Sequence, residues 1–254
     1  MITTEAKVIS DSDLNFYKTD GYLLPKRKLF SEDKQAELTA IFEEHLRNKG
    51  DRLSDELDTP HFRDSRLLDF LLAPEVLDVV ESIIGPNIGL FSSHFISKEP
   101  GKGRRTPWHE DSAYWDGKFD ELDKIVTIWL AIDDSTKENG CMGVVPGTQT
   151  NGFSEYEQVP DESNSTFTTE IKRGTFDLND VVWFELKKGQ YSMHDARIIH
   201  GANANTSNKR RCGYTMRYFS LDMKFNPETA PGHKLYHARG ENIANNPLVY
   251  HDQV

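Results

Sequence analysis

Behind Ser31, the apolar residues Leu38, Ile41, Phe42 and Leu46 recur at helical spacing, which predicts a helix with Ser31 as its N-cap. Glu32 and Asp33 suit the positive N-terminal end of that helix. A second helix is predicted to open at Pro74, to bury Val76, Leu77, Val80, Ile83 and Ile84, and to stop at "GPN" from Gly85. From Gly89 the pattern shortens into strands: "LFSSHFIS", "IVTIWLAID", "GVVP", "VVWFEL", "IIH" and "CGYTMRYF", separated by Gly, Pro, Asn, Asp and Ser clusters. The last of these alternates cleanly. Arg211, Gly213, Thr215 and Arg217 share one face, and Cys212, Tyr214, Met216 and Tyr218 share the other.

This order predicts a mainly β fold, a jelly roll or similar barrel behind an α-helical cover. The expected layout is one domain over 1–254, with helices over about 31–84, the core over about 89–220 and a tail over about 226–254. The tail carries no motif that places it, as a cover over the barrel or as part of a dimer interface. The polar stretch from Glu155 to Glu170 reads as a long loop of the kind that forms a lid.

Composition narrows the partners. A net charge of −11 without a Lys/Arg stripe disfavours nucleic acid and anionic membranes, leaving small molecules as the expected ligands of a monomer or homodimer. No stretch approaches 18 apolar residues and "MITTEAKVIS" has no apolar h-region, so a cytoplasmic location is expected. Cys141 and Cys212 are expected to stay reduced.

The candidate chemistry centres on "WHED". On an extended segment, positions i and i+2 point to one side, so His109 and Asp111 can converge. His200, placed after Ile198 and Ile199 at the expected end of an apolar strand, supplies a third ligand. Two histidines and one carboxylate suit non-haem iron, and the same set could hold zinc for hydrolysis. A non-enzymatic, cupin-like binding protein is the remaining alternative.

Of the other histidines, His194 would lie about 20 Å from His200 on a continuous strand and is read as supporting or structural. His94 is expected in the core or hydrogen-bonded, and His45, His61, His233, His237 and His251 exposed or structural. Arg211 faces the interior, where an unpaired guanidinium costs several kcal/mol, so a carboxylate partner is expected, from the protein or from a ligand.

"WHED", "TIWLAIDDSTKENGCMGVVPGTQ" and "HGANANTSNKRRCGYTMRY" resemble the phytanoyl-CoA dioxygenase family of Fe(II)/2-oxoglutarate-dependent oxygenases, and "FYKTDGYLLPKRKLFSEDKQAEL" is similar to its N-terminal region. The resemblance implies a double-stranded β-helix (jelly roll, cupin-like). It also implies Fe(II) on His109, Asp111 and His200, and Arg211 on the C5-carboxylate of 2-oxoglutarate; Arg217, on the same strand face as Arg211, is the next candidate for that clamp. Trp129, Thr127 and Lys98 would line the cosubstrate pocket.

The implied reaction consumes O2 and 2-oxoglutarate, yields succinate and CO2, and hydroxylates an unactivated C–H. Relatives that halogenate lack the carboxylate, so Asp111 favours hydroxylation. Glu110 stands where many members have Gln, and its parity points it away from the metal. The basic loop "KEPGKGRRTPW", with Arg104 and Arg105, and the aromatic pair Tyr114 and Trp115 suggest a small anionic or zwitterionic substrate.

Overall fold

Ser10 begins the helical cover: its hydroxyl accepts the Asp13 N–H, and helix α1 (Asp11–Asp20) ends at Gly21 with φ 79°. The protein is described by a computed structural model covering residues 8–251. The cover thus starts ahead of the first helix read from the sequence, because α1 is too polar to show an apolar stripe.

Strand β1 (Tyr22–Leu23) leads to α2 (Glu32–Arg47), capped by Ser31 as expected. Strand β2 (Leu57–Asp58), the short helix α3 (Leu68–Leu71) and α4 (Pro74–Ile84) follow. The β part then runs through β3 (Ile88–Lys98), β4 (Thr106–His109), helix α5 (Asp111–Trp115), β5 (Ile125–Ala131) and β6 (Met142–Val144). It continues with β7 (Tyr156–Gln158), β8 (Thr169–Ile171), β9 (Val182–Trp183), β10 (Tyr191–Asp195) and β11 (His200–Ala202). Strands β12 (Arg211–Ser220), β13 (Leu235–Arg239) and β14 (Leu248–Val249) complete it.

A large sheet runs β1-β10-β5-β12-β3-β13-β14, with β2 also paired to β3, and a small sheet runs β4-β11-β6-β9. They form a jelly roll that does not close into a barrel. Alternation along the large sheet assigns its two faces. Val126, Ile128 and Leu130 of β5 join Tyr214, Met216 and Tyr218 of β12 and the helix residues Leu38, Phe42, Val76 and Val80 in one core. Each such buried apolar side chain contributes roughly 1.5–3 kcal/mol. The opposite face, with Thr127, Trp129, Thr215 and Arg217, lines a cavity whose far wall carries His109, Met142 and His200 of the small sheet.

The tail, which the sequence left unplaced, and the polar stretch, read there as a loop, both take up strands. The tail adds β13 antiparallel to β3 and β14 parallel to β13, and it contributes Ala230 and His233 to the cavity wall. The polar loop is a hairpin, with β7 and β8 in antiparallel register, and its Thr166 and Phe167 reach the cavity.

Candidate active site

His109 ends β4 and Asp111 opens α5, so they converge across a strand-to-helix turn and not along one strand as expected. His200 opens β11 directly opposite His109, while Ile198 and Ile199 lie in the preceding turn and not on a strand. Asp111 Oδ1 is 3.6 Å from His109 Nε2 and 4.0 Å from His200 Nε2. The candidate ligand atoms all lie within 4.8 Å of one another, and all three residues are buried.

Each imidazole is oriented by a local carbonyl: His109 Nδ1 donates to Pro107 O (2.7 Å) and His200 Nδ1 to Ile198 O (3.0 Å). Those bonds select the tautomer whose Nε2 lone pair faces the centre, as a metal ligand requires. Burial, reinforced by His109, holds the His200 imidazole well below its ordinary pKa, which keeps it neutral.

Asp111 is completed from the large sheet. Arg217 Nε donates to its Oδ2 at 3.3 Å, so that Oδ1 is the oxygen facing the two imidazoles, and the guanidinium lies 5.6 Å from the Trp115 ring centroid. Burial would raise the Asp111 pKa, but Arg217 and the neighbouring imidazoles hold it well below the carboxylate range. The sequence reading kept Arg217 in reserve for the cosubstrate, whereas the structure sets it on a candidate metal ligand.

Arg211 is 2% exposed, and its Nε and Nη2 both donate to Gly140 O, Nε at 3.0 Å. No carboxylate among the described residues pairs with it. Burial lowers its pKa to about 10, which leaves it charged at neutral pH. The guanidinium lies over Trp129, 5.3 Å from the ring centroid. Gly213 makes that packing possible, since a Cβ there would sit 2.0 Å from the indole. Thr127 Oγ1 is buried on the same wall without a hydrogen-bond partner. A buried cation lacking an anion, beside an orphaned hydroxyl, fits a ligand carboxylate. Lys98 is fully buried but turns away from the cavity lining, donating to Asn203 O at 2.6 Å.

The basic loop is placed differently from its sequence reading. Arg104 reaches the cavity wall, but Asp55 takes its guanidinium through two bonds (2.7 and 3.1 Å) and Glu56 adds a third at 3.3 Å. Arg105 is outside the cavity, 2.6 Å from Glu170 of the hairpin. Tyr114 and Trp115 both line the cavity. Glu110 points away from the triad, as its parity implied. Its carboxylate accepts Ser154 Oγ (2.5 Å) and Tyr156 OH (2.7 Å), and its N–H donates back to the Tyr156 oxygen (3.1 Å). The residue between two candidate ligands therefore clasps the base of the hairpin, whose Phe167 ring lies 4.9 Å from that of His109.

His194 is not remote. Its ring lies 4.9 Å from that of His200, because the chain reverses after Asp195 where a continuous strand was assumed. Burial lowers its pKa to about 4. His94 and His233, read as core or structural, both line the cavity. Asp58, Phe91, Lys118 and Phe167 were not anticipated there. A lone aromatic inside the polar stretch "SNSTFTTE" was the one available signal, and it belongs to Phe167.

Paired imidazoles and a carboxylate between the sheets of a jelly roll define a facial-triad, non-haem metal enzyme. The family model for phytanoyl-CoA dioxygenase (PhyH) matches residues 17–213, and the chain belongs to that family, as an Fe(II)/2-oxoglutarate-dependent oxygenase. The chain is 27% identical to a phytanoyl-CoA dioxygenase domain-containing protein 1 homolog of Caenorhabditis elegans, over 82% of this chain and 73% of that protein. The non-haem monooxygenase ThoJ has the same fold, with a TM-score of 0.75 and 22% identity over 93% of this chain and 86% of ThoJ. SnoK, the non-haem α-ketoglutarate-dependent carbocyclase of nogalamycin biosynthesis, gives 0.69 and 25% over 91% of each chain.

Proposed function

We propose that the chain is a single oxygenase domain that hydroxylates an unactivated C–H of a small anionic or zwitterionic metabolite, with conversion of 2-oxoglutarate to succinate and CO2. The observation that carries this reading is Arg211, a buried guanidinium without a protein carboxylate on the wall facing the triad. When bound, iron with 2-oxoglutarate supplies O2 activation coupled to oxidative decarboxylation.

His109, Asp111 and His200 hold the metal, and Arg217 keeps Asp111 ionised and oriented. Arg211 clamps the C5-carboxylate, with Trp129 and Thr127 as its walls. Tyr114 and Phe167, 5.1 Å apart, roof His109 and keep water off the centre. A cavity of about 520 Å³ suits a small metabolite beside the cosubstrate. Buried, unpaired Cys141 and Cys212 suit a reducing compartment such as the cytoplasm, with the enzyme acting as a monomer or homodimer. No helix among the described residues is long and apolar enough to cross a membrane.

The test is a metabolite screen on iron-loaded enzyme. A substrate should raise succinate formation at least about tenfold over the substrate-free rate, with matching O2 consumption. Turnover of any metabolite at an undiminished rate without O2 would contradict the assignment.

A further inference from the structure

The outer half of the cavity holds more charge than the chemistry above uses. Arg104 is neutralised by Asp55 and Glu56, Arg217 by Asp111, and Arg211 faces the cosubstrate site. Two carboxylates on one guanidinium leave the Arg104 cluster net negative, and Asp58 and Lys118 are the lining carboxylate and ammonium outside these ion pairs. Lys118 has no carboxylate partner among the described residues.

Among the described residues Asp58 makes no ion pair with a lysine or arginine, and its Oδ1 lies 3.8 Å from His94 Nδ1. His94 Nε2 is the protonated nitrogen, since it meets Asp55 O at 2.9 Å, so Nδ1 carries a lone pair. Burial holds this imidazole below its ordinary pKa, so it does not neutralise Asp58. Asp58 and His94 therefore present two acceptors to the cavity with no hydrogen between them. Both leftover charges also act on His233, which Lys118 pushes down and Asp58 pulls up, though burial is the largest effect there. Asp58 and Lys118 both line this cavity, and among the described residues they form no ion pair with each other. Inward of them the wall turns aromatic, with Phe91 and Trp115 edge to face at 5.2 Å.

We propose that this outer half binds the charged head of an α-amino acid or close analogue, its ammonium between Asp58 and His94 and its carboxylate toward Lys118. The apolar side chain then runs inward past Phe91 and Trp115 to the triad. This rests on the oxygenase reading and specifies its substrate class. The reaction is R–H + O2 + 2-oxoglutarate giving R–OH + succinate + CO2, in which one oxygen atom enters the C–H bond and the other enters succinate. A primary ammonium has the hydrogens to serve both acceptors, and opposite charges in one cavity reject a molecule carrying only one of them.

The test is calorimetric binding to anaerobic enzyme preloaded with Fe(II) and 2-oxoglutarate. The probes are leucine, isoleucine, methionine and phenylalanine, each beside its deaminated acid and its decarboxylated amine. At least one amino acid should bind about tenfold or more tightly than both of its counterparts. Asp58→Asn should erase the advantage over the acid, Lys118→Gln should erase the advantage over the amine, and neither should change 2-oxoglutarate affinity. The proposal is overturned if no amino acid outbinds its counterparts, or if both variants keep the full preference. In either case normal 2-oxoglutarate binding would leave the oxygenase reading standing, whereas failure of the wild type to load iron and 2-oxoglutarate would remove both.

Discussion

Arg211→Ala is expected to raise the Michaelis constant for 2-oxoglutarate by about two orders of magnitude, while iron still binds. A buried guanidinium that meets a carboxylate through paired, charge-assisted bonds loses roughly 2–5 kcal/mol when removed, which is about 30- to several-thousandfold in affinity. The substitution leaves Gly140 O without its donor and opens space over Trp129, so some stability is lost as well. Arg211→Lys separates the two effects. It retains the charge but not the planar fork, and it should recover part of the 2-oxoglutarate affinity. Steady-state kinetics varying 2-oxoglutarate, beside an iron assay, checks this. Unchanged constants in both variants would move the clamp to another residue.

Loss of a triad member should be more severe still. His200→Ala removes one of the three proposed protein ligands, and turnover is expected to fall at least about a thousandfold, with iron no longer retained through gel filtration. The fold should survive, because His200 lies at the cavity and outside the apolar cores. Iron content, activity and melting temperature on one preparation decide the point. A His200→Ala protein retaining stoichiometric iron and wild-type turnover would exclude His200 as a ligand.

The large sheet was legible in the sequence wherever one face was apolar. The period-two pattern over Arg211–Tyr218 placed both the core face and the cavity face, because each residue's side follows from parity alone. Helices α2 and α4 were legible from stripe and cap, while α1 lacks a stripe. Parity failed where the chain turns. Asp111 opens a helix, and His194 folds back onto His200, and neither reversal leaves a periodic trace. The basic loop was misleading for another reason. Composition shows an excess of positive charge, but not that Asp55 and Glu170, 49 and 65 residues away in the chain, neutralise Arg104 and Arg105. Asp58 and Lys118 are about 60 residues apart in the chain and each has charged neighbours in sequence, so only the structure shows that both line one cavity.

The most direct measurement is an anaerobic titration of wild-type protein with Fe(II) and then with 2-oxoglutarate, followed by calorimetry and by the visible charge-transfer band of the ternary complex. The account predicts stoichiometric iron, saturable 2-oxoglutarate binding only after the metal is bound, and loss of that binding in Arg211→Ala. A folded, metal-loaded protein that fails to bind 2-oxoglutarate, or one that binds it equally well without metal and without Arg211, would contradict it.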